Sequence, residues 1–155
     1  MVNLSQIVVR RAAILEILNL AINKNLAIQN TNENARRNDE EIIHSIFFPM
    51  RKDSTEVNDH DIWILNEEYQ YYDYICSDKS LSSIRWNGDE LLFESDIDSK
   101  LEELNERLDK NYHDNKNKRP DIAIFNSEGA VIIIEFKSPG VSLDEHVGDL
   151  MEYST

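Results

Sequence analysis

The chain has 155 residues, a length that suits one domain with a core of its own. Hydrophobic residues at 41% and charged residues at 30% indicate a soluble, globular protein, and the net charge of −14 argues against a simple non-specific nucleic-acid binder. The single cysteine, Cys76, excludes an internal disulfide and suits a reducing cytoplasm, where we expect it to be a small buried hydrophobe.

A long helix is the first predicted element, over residues 4–25, and we assign residues 1–30 to it with Ser5 as its cap. Apolar residues recur at helical spacing, at Leu4, Val8, Leu15, Leu18, Ile22 and Leu26. So apolar a helix should pack, either onto the domain's own core or against a second copy in a coiled-coil-like homodimer. Residues 12–22 are its most apolar run, but this run is short and contains Glu16, so we expect no membrane span.

A second helix is predicted to end at about Phe48, before Pro49. Acidic residues lie near its start, namely Asp39, Glu40 and Glu41. They fit solvated residues favoured by the helix dipole. The apolar stripe of this helix consists of Ile43, Ile46 and Phe47. His44 lies beside this stripe and is either a rim residue or a group that contacts a phosphate or orients Glu40 or Glu41.

The middle of the chain is less regular. Residues 61–66 predict a short strand or the start of a helix, and four tyrosines follow that suit a packed helix face or base stacking, namely Tyr69, Tyr71, Tyr72 and Tyr74. The pair Asn87-Gly88 predicts a hairpin with arms over residues 83–86 and 90–93, which is a candidate specificity or partner element. A further helix is predicted over residues 96–111.

Two apolar strands joined by a tight turn are predicted over residues 121–125 and 130–136. In an antiparallel hairpin the start of one strand lies beside the end of the other. Asp121 should therefore meet Glu135 and Lys137, which are two residues apart and share a face.

Two carboxylates and an ammonium in so apolar a setting are costly unless they pair or bind an ion. Asp121 and Glu135 suit Mg²⁺ held through oxygen, and Lys137 suits a group that activates water or stabilises a phosphate. A surface salt bridge at the hairpin end is the other interpretation.

The residues Pro120-Asp121, followed by Glu135-Phe136-Lys137, resemble the PD-(D/E)xK motif of the restriction-endonuclease-like nuclease superfamily. This resemblance covers residues 38–155, and we assign residues 31–155 to the nuclease-like domain. It implies an α/β fold, with a mixed central β-sheet flanked by helices, and metal-dependent hydrolysis of DNA phosphodiester bonds.

The resemblance also implies roles in the site. Asp121 and Glu135 would bind Mg²⁺ or Mn²⁺ with the carbonyl of Phe136, and Lys137 would activate water. Glu40 or Glu41 would complete the metal shell from the second helix. Tyr153 would support the site from a helix predicted over residues 143–153, where one branch of the superfamily has Gln-x-x-x-Tyr and this chain has Asp149 in place of the glutamine.

The charge of the chain is unevenly spread. Residues 53–106 hold sixteen acidic and three basic side chains, whereas residues 107–119 hold five basic and two acidic ones. This basic stretch runs directly into the first strand of the hairpin. We therefore expect Lys116, Lys118 and Arg119, with His44 on the second helix, to contact DNA beside the metal site.

Two further expectations concern the whole protein. The chain stops within its last predicted helix, so we expect a fragment of a longer protein or a trimmed fold, and some stretches resemble the nuclease-like end of larger proteins with an ATPase domain. The other functional interpretations are a catalytically degenerate module for nucleic-acid sensing or protein interaction, and an oligomerisation domain built on the first helix.

Overall fold

The computed structural model describes residues 3–30, 35–80, 83–86, 90–91, 119–126 and 130–148. Its first element, helix α1 (Leu4–Ile22), confirms the predicted long helix. Asn3, rather than the expected Ser5, is the cap: its side chain accepts the Ser5 N–H, and the side chain of Gln6 accepts the Asn3 N–H. Asn3 has the extended backbone that a cap requires, whereas Ser5 is already helical.

Helix α1 keeps most of its apolar surface outside the core, because Ala21 is the one buried residue in it. Several of its large apolar side chains are exposed, namely Leu4, Ile7, Val8, Val9, Leu15, Ile17 and Ile22. It is held to the domain by its last turns and by ion pairs of Arg10 and Arg11 with the segment 59–67. No helix among the described residues combines the length and apolar character that crossing a membrane requires.

Helix α2 (Ala35–Phe47) ends immediately before Phe48-Pro49, as predicted. Ile43 and Phe47 are buried and point at the sheet, which confirms the apolar stripe. The acid at the start of this helix, Asp39, is buried and bound by Gln29 at 3.0 Å and Lys24 at 3.4 Å. It therefore joins α2 to the end of α1 instead of facing solvent.

The strands that the structure describes are short. They are β1 (Tyr74–Ser77), β2 (Arg85–Trp86), β3 (Glu90–Leu91), β4 (Ile122–Phe125) and β5 (Val131–Ile134). Strands β2 and β3 form the predicted hairpin, with Arg85 opposite Leu91. The other three form one sheet in the order β1-β4-β5, and both of its pairings are antiparallel. The parallel pairing that a mixed sheet implies does not occur among the described strands.

Strand β4 is the centre of the core and is buried on both faces. On the side of α2, Ile122 and Ile124 pack in one core cluster that includes Phe47 and Phe136. Ala123 and Phe125 pack on the other side with Tyr74, Cys76 and Ile84. Burying one such isoleucine side chain stabilises the fold by roughly 2 kcal/mol, so β4 holds the hairpin firmly in place.

The segment 61–66 is not a strand. It contains a 3₁₀ helix, Ile62–Ile64, and a second one, Glu67–Tyr71, follows it. The strand lies further on, at β1, and begins at Tyr74, the last of the four tyrosines that suit a helix face in the sequence. Alternation of apolar residues misled here, because the Asp61 N–H bonds to the carbonyl of Phe47 at 2.9 Å and ties the segment to the end of α2.

The tyrosines in this part of the chain mostly pack. Tyr69 and Tyr72 make an edge contact at 5.7 Å and lie against the core, and Tyr74 is buried in β1, whereas Tyr71 is exposed. The helix predicted over residues 96–111 lies outside the described residues. Of the helix predicted over residues 143–153, the structure describes a 3₁₀ helix, Asp144–His146, and the two residues after it.

Candidate active site

The β4–β5 hairpin closes as the sequence predicts, and its open end gathers the charged residues. Ile122 is opposite Ile134 in the last pair of the ladder, so continuing this register by one step puts Asp121 opposite Glu135. Directly opposed residues have Cβ atoms about 5 Å apart. The Asp121 carboxylate also reaches across the hairpin, where its Oδ2 accepts the N–H of Phe136 at 2.6 Å.

Lys137 lies at the same end of the hairpin, two residues after Glu135, and its charge acts on Asp121. Burial is the largest influence on Asp121 and raises the pKa of its carboxyl, while the Phe136 N–H and the charge of Lys137 lower that pKa. Glu135 and Lys137 are both partly buried. The hairpin thus brings together the two acids and the lysine that the sequence analysis selected, with Phe136 between the last two.

Helix α2 supplies one more acid to this end of the sheet. Glu40 Oε2 accepts a long hydrogen bond of 3.4 Å from the hydroxyl of Ser138, the residue that follows Lys137. Glu41 lies one position further along the helix. Burial lowers the pKa of His44 overall, while the charges of both glutamates oppose this shift. Glu40 thus contacts the segment after β5 through Ser138.

His44 is enclosed by protein rather than open to a phosphate, since 2% of its surface is exposed. Its Nε2 lies 2.7 Å from the Ser77 hydroxyl, and its Nδ1 lies 3.9 Å from Asp121 Oδ1. Its ring stacks on Phe136 with centroids 5.3 Å apart. Burial lowers the pKa of His44, which favours the neutral imidazole. This geometry corrects the rim position expected for His44 and leaves no direct path to a DNA phosphate.

Asp78 is a charged neighbour of the site that sequence reasoning missed. Its N–H donates to the carbonyls of Pro120 at 3.2 Å and Asp121 at 3.1 Å, and its charge raises the pKa of Asp121. The exposed Arg51 pairs with it at 3.1 Å. Asp78 has a φ of 47°, a left-handed conformation that is uncommon outside glycine. The pairing of β1 with β4 brings Asp78 here, a long-range contact that no local pattern indicates.

The donor groups at this end suit a hard divalent cation. Asp121, Glu135 and the Phe136 carbonyl offer oxygen ligands, and a cation beside Asp121 would favour the ionised carboxylate that burial disfavours. Within the described part of the chain, no group of three or more His, Cys, Asp or Glu side chains could hold a metal ion. A cation here would therefore depend on backbone, water and phosphate oxygens as well, which is how Mg²⁺ commonly binds.

Several predicted residues lie outside this geometry. Lys116, Lys118, Tyr153 and the Asp149 position fall outside the described residues. Arg119 is described, and it is exposed directly before the buried Pro120 that leads into β4. It lies two residues before Asp121 in the chain.

An α/β core in which an antiparallel hairpin presents Pro-Asp on one strand and Glu-x-Lys at the end of the next is typical of PD-(D/E)xK-like nuclease domains. The chain matches the VRR-NUC domain family over residues 55–149, well over half of its length, and it belongs to this PD-(D/E)xK-like family. Family membership indicates a nuclease-type function. No curated protein and no solved structure matches the chain.

The matched range contains part of the site. It includes Asp121, Glu135 and Lys137, whereas helix α2 with Glu40 and His44 precedes it. The hydrogen bonds of Glu40 and His44 nevertheless connect α2 to residues inside the range. The structure thus extends the candidate site beyond the part of the chain that the family comparison covers.

Proposed function

We propose that this protein is a divalent-metal-dependent nuclease that hydrolyses DNA phosphodiester bonds with Mg²⁺ or Mn²⁺ as its cofactor. The observation that carries the proposal is the register of the β4–β5 hairpin, which continues to Asp121 opposite Glu135 with Lys137 two residues further on. Membership of a nuclease domain family supports the same reaction class. DNA is the substrate class that such a domain suggests.

Each residue has a distinct part in this reaction. Asp121 and Glu135, with the carbonyl of Phe136, would hold the cation, and Glu40, which contacts Ser138, or Glu41 would complete its surroundings from α2. A bound divalent cation lowers the pKa of a coordinated water and neutralises charge on the phosphate. In the hydrolysis, the attacking water would form the new bond to phosphorus and release a proton to solvent, while the bond to the leaving sugar oxygen would break and that oxygen would take up a proton.

Lys137 would act on the charge that builds up during this displacement. Its ammonium would orient the attacking water or donate to the phosphate oxygens as negative charge increases there. Donors aimed at developing charge in a partly buried site usually supply one of the largest contributions to a rate enhancement. Tyr153 is proposed to support the site from the last predicted helix.

DNA cleavage tests the proposal directly. Wild-type protein, Asp121→Asn and Lys137→Met are incubated with supercoiled and linear DNA in Mg²⁺ or Mn²⁺, with Lys52→Met as a control lysine outside the site. We expect cleavage by wild type and Lys52→Met that chelation with EDTA stops, and none by the two site variants. Equal cleavage by all four proteins would refute the assignment, and metal binding without cleavage would support the degenerate sensing module instead.

We also propose that α1 mediates a homodimer. Val8, Leu15 and Ile22 repeat every seven residues and are 59%, 47% and 50% exposed, which is the pattern of a coiled-coil seam. Light scattering after size exclusion should give a dimer for wild type and a monomer for Leu15→Lys. A monomeric wild type would contradict the proposal.

Attachment to an ATPase domain and a cytoplasmic location stay predictions from the sequence. The described residues offer no contact that bears on either of them. Both proposals concern the protein in its cellular setting, so co-purification from cells and microscopy of a tagged chain are the measurements that test them.

A further inference from the structure

His44 lies where three separate parts of the candidate site meet. It comes from α2, its Nε2 is 2.7 Å from Ser77 Oγ at the end of β1, and its Nδ1 faces Asp121 before β4. Its stacking on Phe136 adds the segment after β5. His44 thus contacts each of these parts of the site.

The neighbours of the two ring nitrogens indicate which of them carries the proton in a neutral imidazole. Nδ1 faces a carboxylate oxygen of Asp121 at 3.9 Å, which attracts an N–H, whereas the Ser77 hydroxyl beside Nε2 can donate or accept. We therefore assign the proton to Nδ1, which faces Asp121, and the Ser77 hydroxyl then donates to Nε2. The tautomer directs a fixed positive dipole at the carboxylate proposed to bind metal.

Phe136 links His44 to the other residues of the candidate site. Its backbone N–H holds Asp121 Oδ2 at 2.6 Å, and its ring is held between His44 and Phe47, at 5.3 Å and 5.0 Å. Because Phe136 lies between Glu135 and Lys137, its orientation sets the directions of both. An aromatic ring held from two sides has little freedom to turn.

We propose that His44 is a positioning residue, which aligns Asp121 and the backbone between Glu135 and Lys137 for metal binding. This role rests on the proposed function, because it concerns the same cation and the same reaction. It replaces the phosphate contact that the sequence suggested, since a buried ring acts through its neighbours. Residues that orient metal ligands in this way typically change metal affinity or activity about 10–100-fold when mutated.

Three substitutions separate positioning from packing. His44→Asn places its amide near the Nδ1 position, His44→Gln places its amide near the Nε2 position, and His44→Phe keeps the stack on Phe136 but loses the polar contacts with Ser77 and Asp121. We expect Mn²⁺ affinity, measured by titration without DNA, to fall about 10–100-fold in His44→Phe and to be partly restored in His44→Asn. His44→Gln should recover less, because its amide serves Ser77 instead of Asp121.

His60→Phe is the matched control. His60 is also partly enclosed and contacts a phenylalanine ring, Phe48, at 5.2 Å, but its Nδ1 is without a hydrogen-bond partner in the described part of the chain. We expect this variant to keep wild-type Mn²⁺ affinity and kcat. Unchanged Mn²⁺ affinity in all His44 variants would overturn the positioning role, and so would losses that only follow a loss of thermal stability.

Kinetics and nitrogen NMR distinguish this proposal from the proposed function. Positioning predicts a lower kcat with KM for DNA changed less than about threefold, whereas a raised KM at constant kcat would identify a substrate contact and overturn it. The imidazole nitrogen shifts of His44 should show the Nδ1–H tautomer and should change in Asp121→Asn. If the wild-type protein fails to cleave DNA, only the proposed nuclease function is refuted. If His44 has the Nε2–H tautomer, or if its nitrogen shifts do not change in Asp121→Asn, the positioning role is refuted.

Discussion

Each polar side chain at the end of the sheet is defined by a few close partners. Asp121 shows this most clearly, because burial raises the pKa of its carboxyl while the Phe136 N–H and Lys137 lower it. An ionised carboxylate there is stable only with help from neighbouring donors and cations. This is the pattern expected of a residue kept for function at some expense of stability.

Asp121→Asn should separate these two properties. The amide keeps the size of the side chain and an oxygen to accept the Phe136 N–H, but it removes the charge that burial disfavours. We expect urea unfolding at pH 7 to show a variant at least as stable as wild type, with DNA cleavage reduced more than about 100-fold, beyond the range for indirect effects. A lower urea midpoint would mean that the charge itself holds the site together.

Cys76 provides a second test at the scale of one residue. Its side chain is fully buried, and burial raises the pKa of the thiol to about 12. Because the thiolate is the reactive form, the folded protein should react with a disulfide reagent at pH 8 at least about 1,000-fold more slowly than the protein in urea. The chain has one cysteine, so the signal is unambiguous. Fast reaction of the native thiol would show that β1 opens readily.

Among the elements, β1 depends most on its surroundings. β4 pairs with one of its edges, and residues 52–54 bond along the other, through Ser77 N–H to the Lys52 carbonyl at 2.9 Å and Ser54 N–H to the Ile75 carbonyl at 2.8 Å. Asp53 stabilises this loop by accepting bonds from Lys79, Thr55 and the Tyr74 hydroxyl. The loop therefore covers an edge that would otherwise expose unpaired backbone groups.

Asp53→Asn should weaken β1 in a pH-dependent way. Burial alone would raise the pKa of Asp53, but hydrogen bonds from Lys79 and Thr55 outweigh it and bring the pKa to about 2. A lowered carboxyl pKa stabilises the fold above the unfolded pKa near 4, and this stabilisation disappears as pH falls through 2.

Urea unfolding measures the effect. We expect Asp53→Asn to lose about 1–2 kcal/mol at pH 7, and the difference from wild type to shrink between pH 4 and pH 2. Asp59→Asn is the control, because that carboxylate is largely exposed and pairs with Arg10 at the surface. A difference that persists unchanged at pH 2 would show that shape rather than charge makes Asp53 important.

The whole molecule carries two unusual features, an exposed apolar helix and a large negative charge. The last turns of helix α1 pack on the core, while nearer its start Arg10 bonds Asp61 at 3.0 Å and Arg11 lies over the ring of Trp63 at 4.3 Å. Asp61 is buried, so its pairing matters more than that of a surface acid. The first half of the helix is thus attached by a few charged contacts.

Arg10→Ala should consequently loosen the helix. The substitution removes the guanidinium from the buried Asp61 carboxylate. Among the described residues, the Trp63 indole N–H, at 2.8 Å, then remains as its side-chain hydrogen-bond donor. We expect a loss of about 1 kcal/mol in thermal unfolding, since Arg10 is itself half-exposed. Glu16→Ala on the same helix should change stability by less than about 0.5 kcal/mol. Equal effects of the two substitutions would contradict this attachment.

The charge of −14 limits how the protein can hold DNA. If Lys116, Lys118 and Arg119 are its main phosphate contacts, the logarithm of the binding constant should fall with the logarithm of salt concentration with a slope of about −3. Arg119→Ala should reduce that slope by about 1. Fluorescence anisotropy with the Asp121→Asn protein measures both, and an unchanged slope would exclude Arg119 as a phosphate contact.

Local patterns predicted much of this protein. The helical spacing of α1, the proline after α2 and the sequence pair Asn87-Gly88 between β2 and β3 each indicate an element within a few residues. The β4–β5 hairpin is specified in the same way, and the selection of Asp121, Glu135 and Lys137 follows from it. Such signals succeed because the atoms that cause them are near neighbours along the chain.

The tertiary structure decided what depends on distant segments. Strand β1 is a strand because β4 and residues 52–54 pair with its two edges, and that pairing carries Asp78 to Asp121. His44 became buried because α2 packs on the segment after β5, far away in sequence. The sequence by itself therefore determined the hairpin and its acidic residues. Long-range packing determined which residues surround them, because burial is a property of the whole fold.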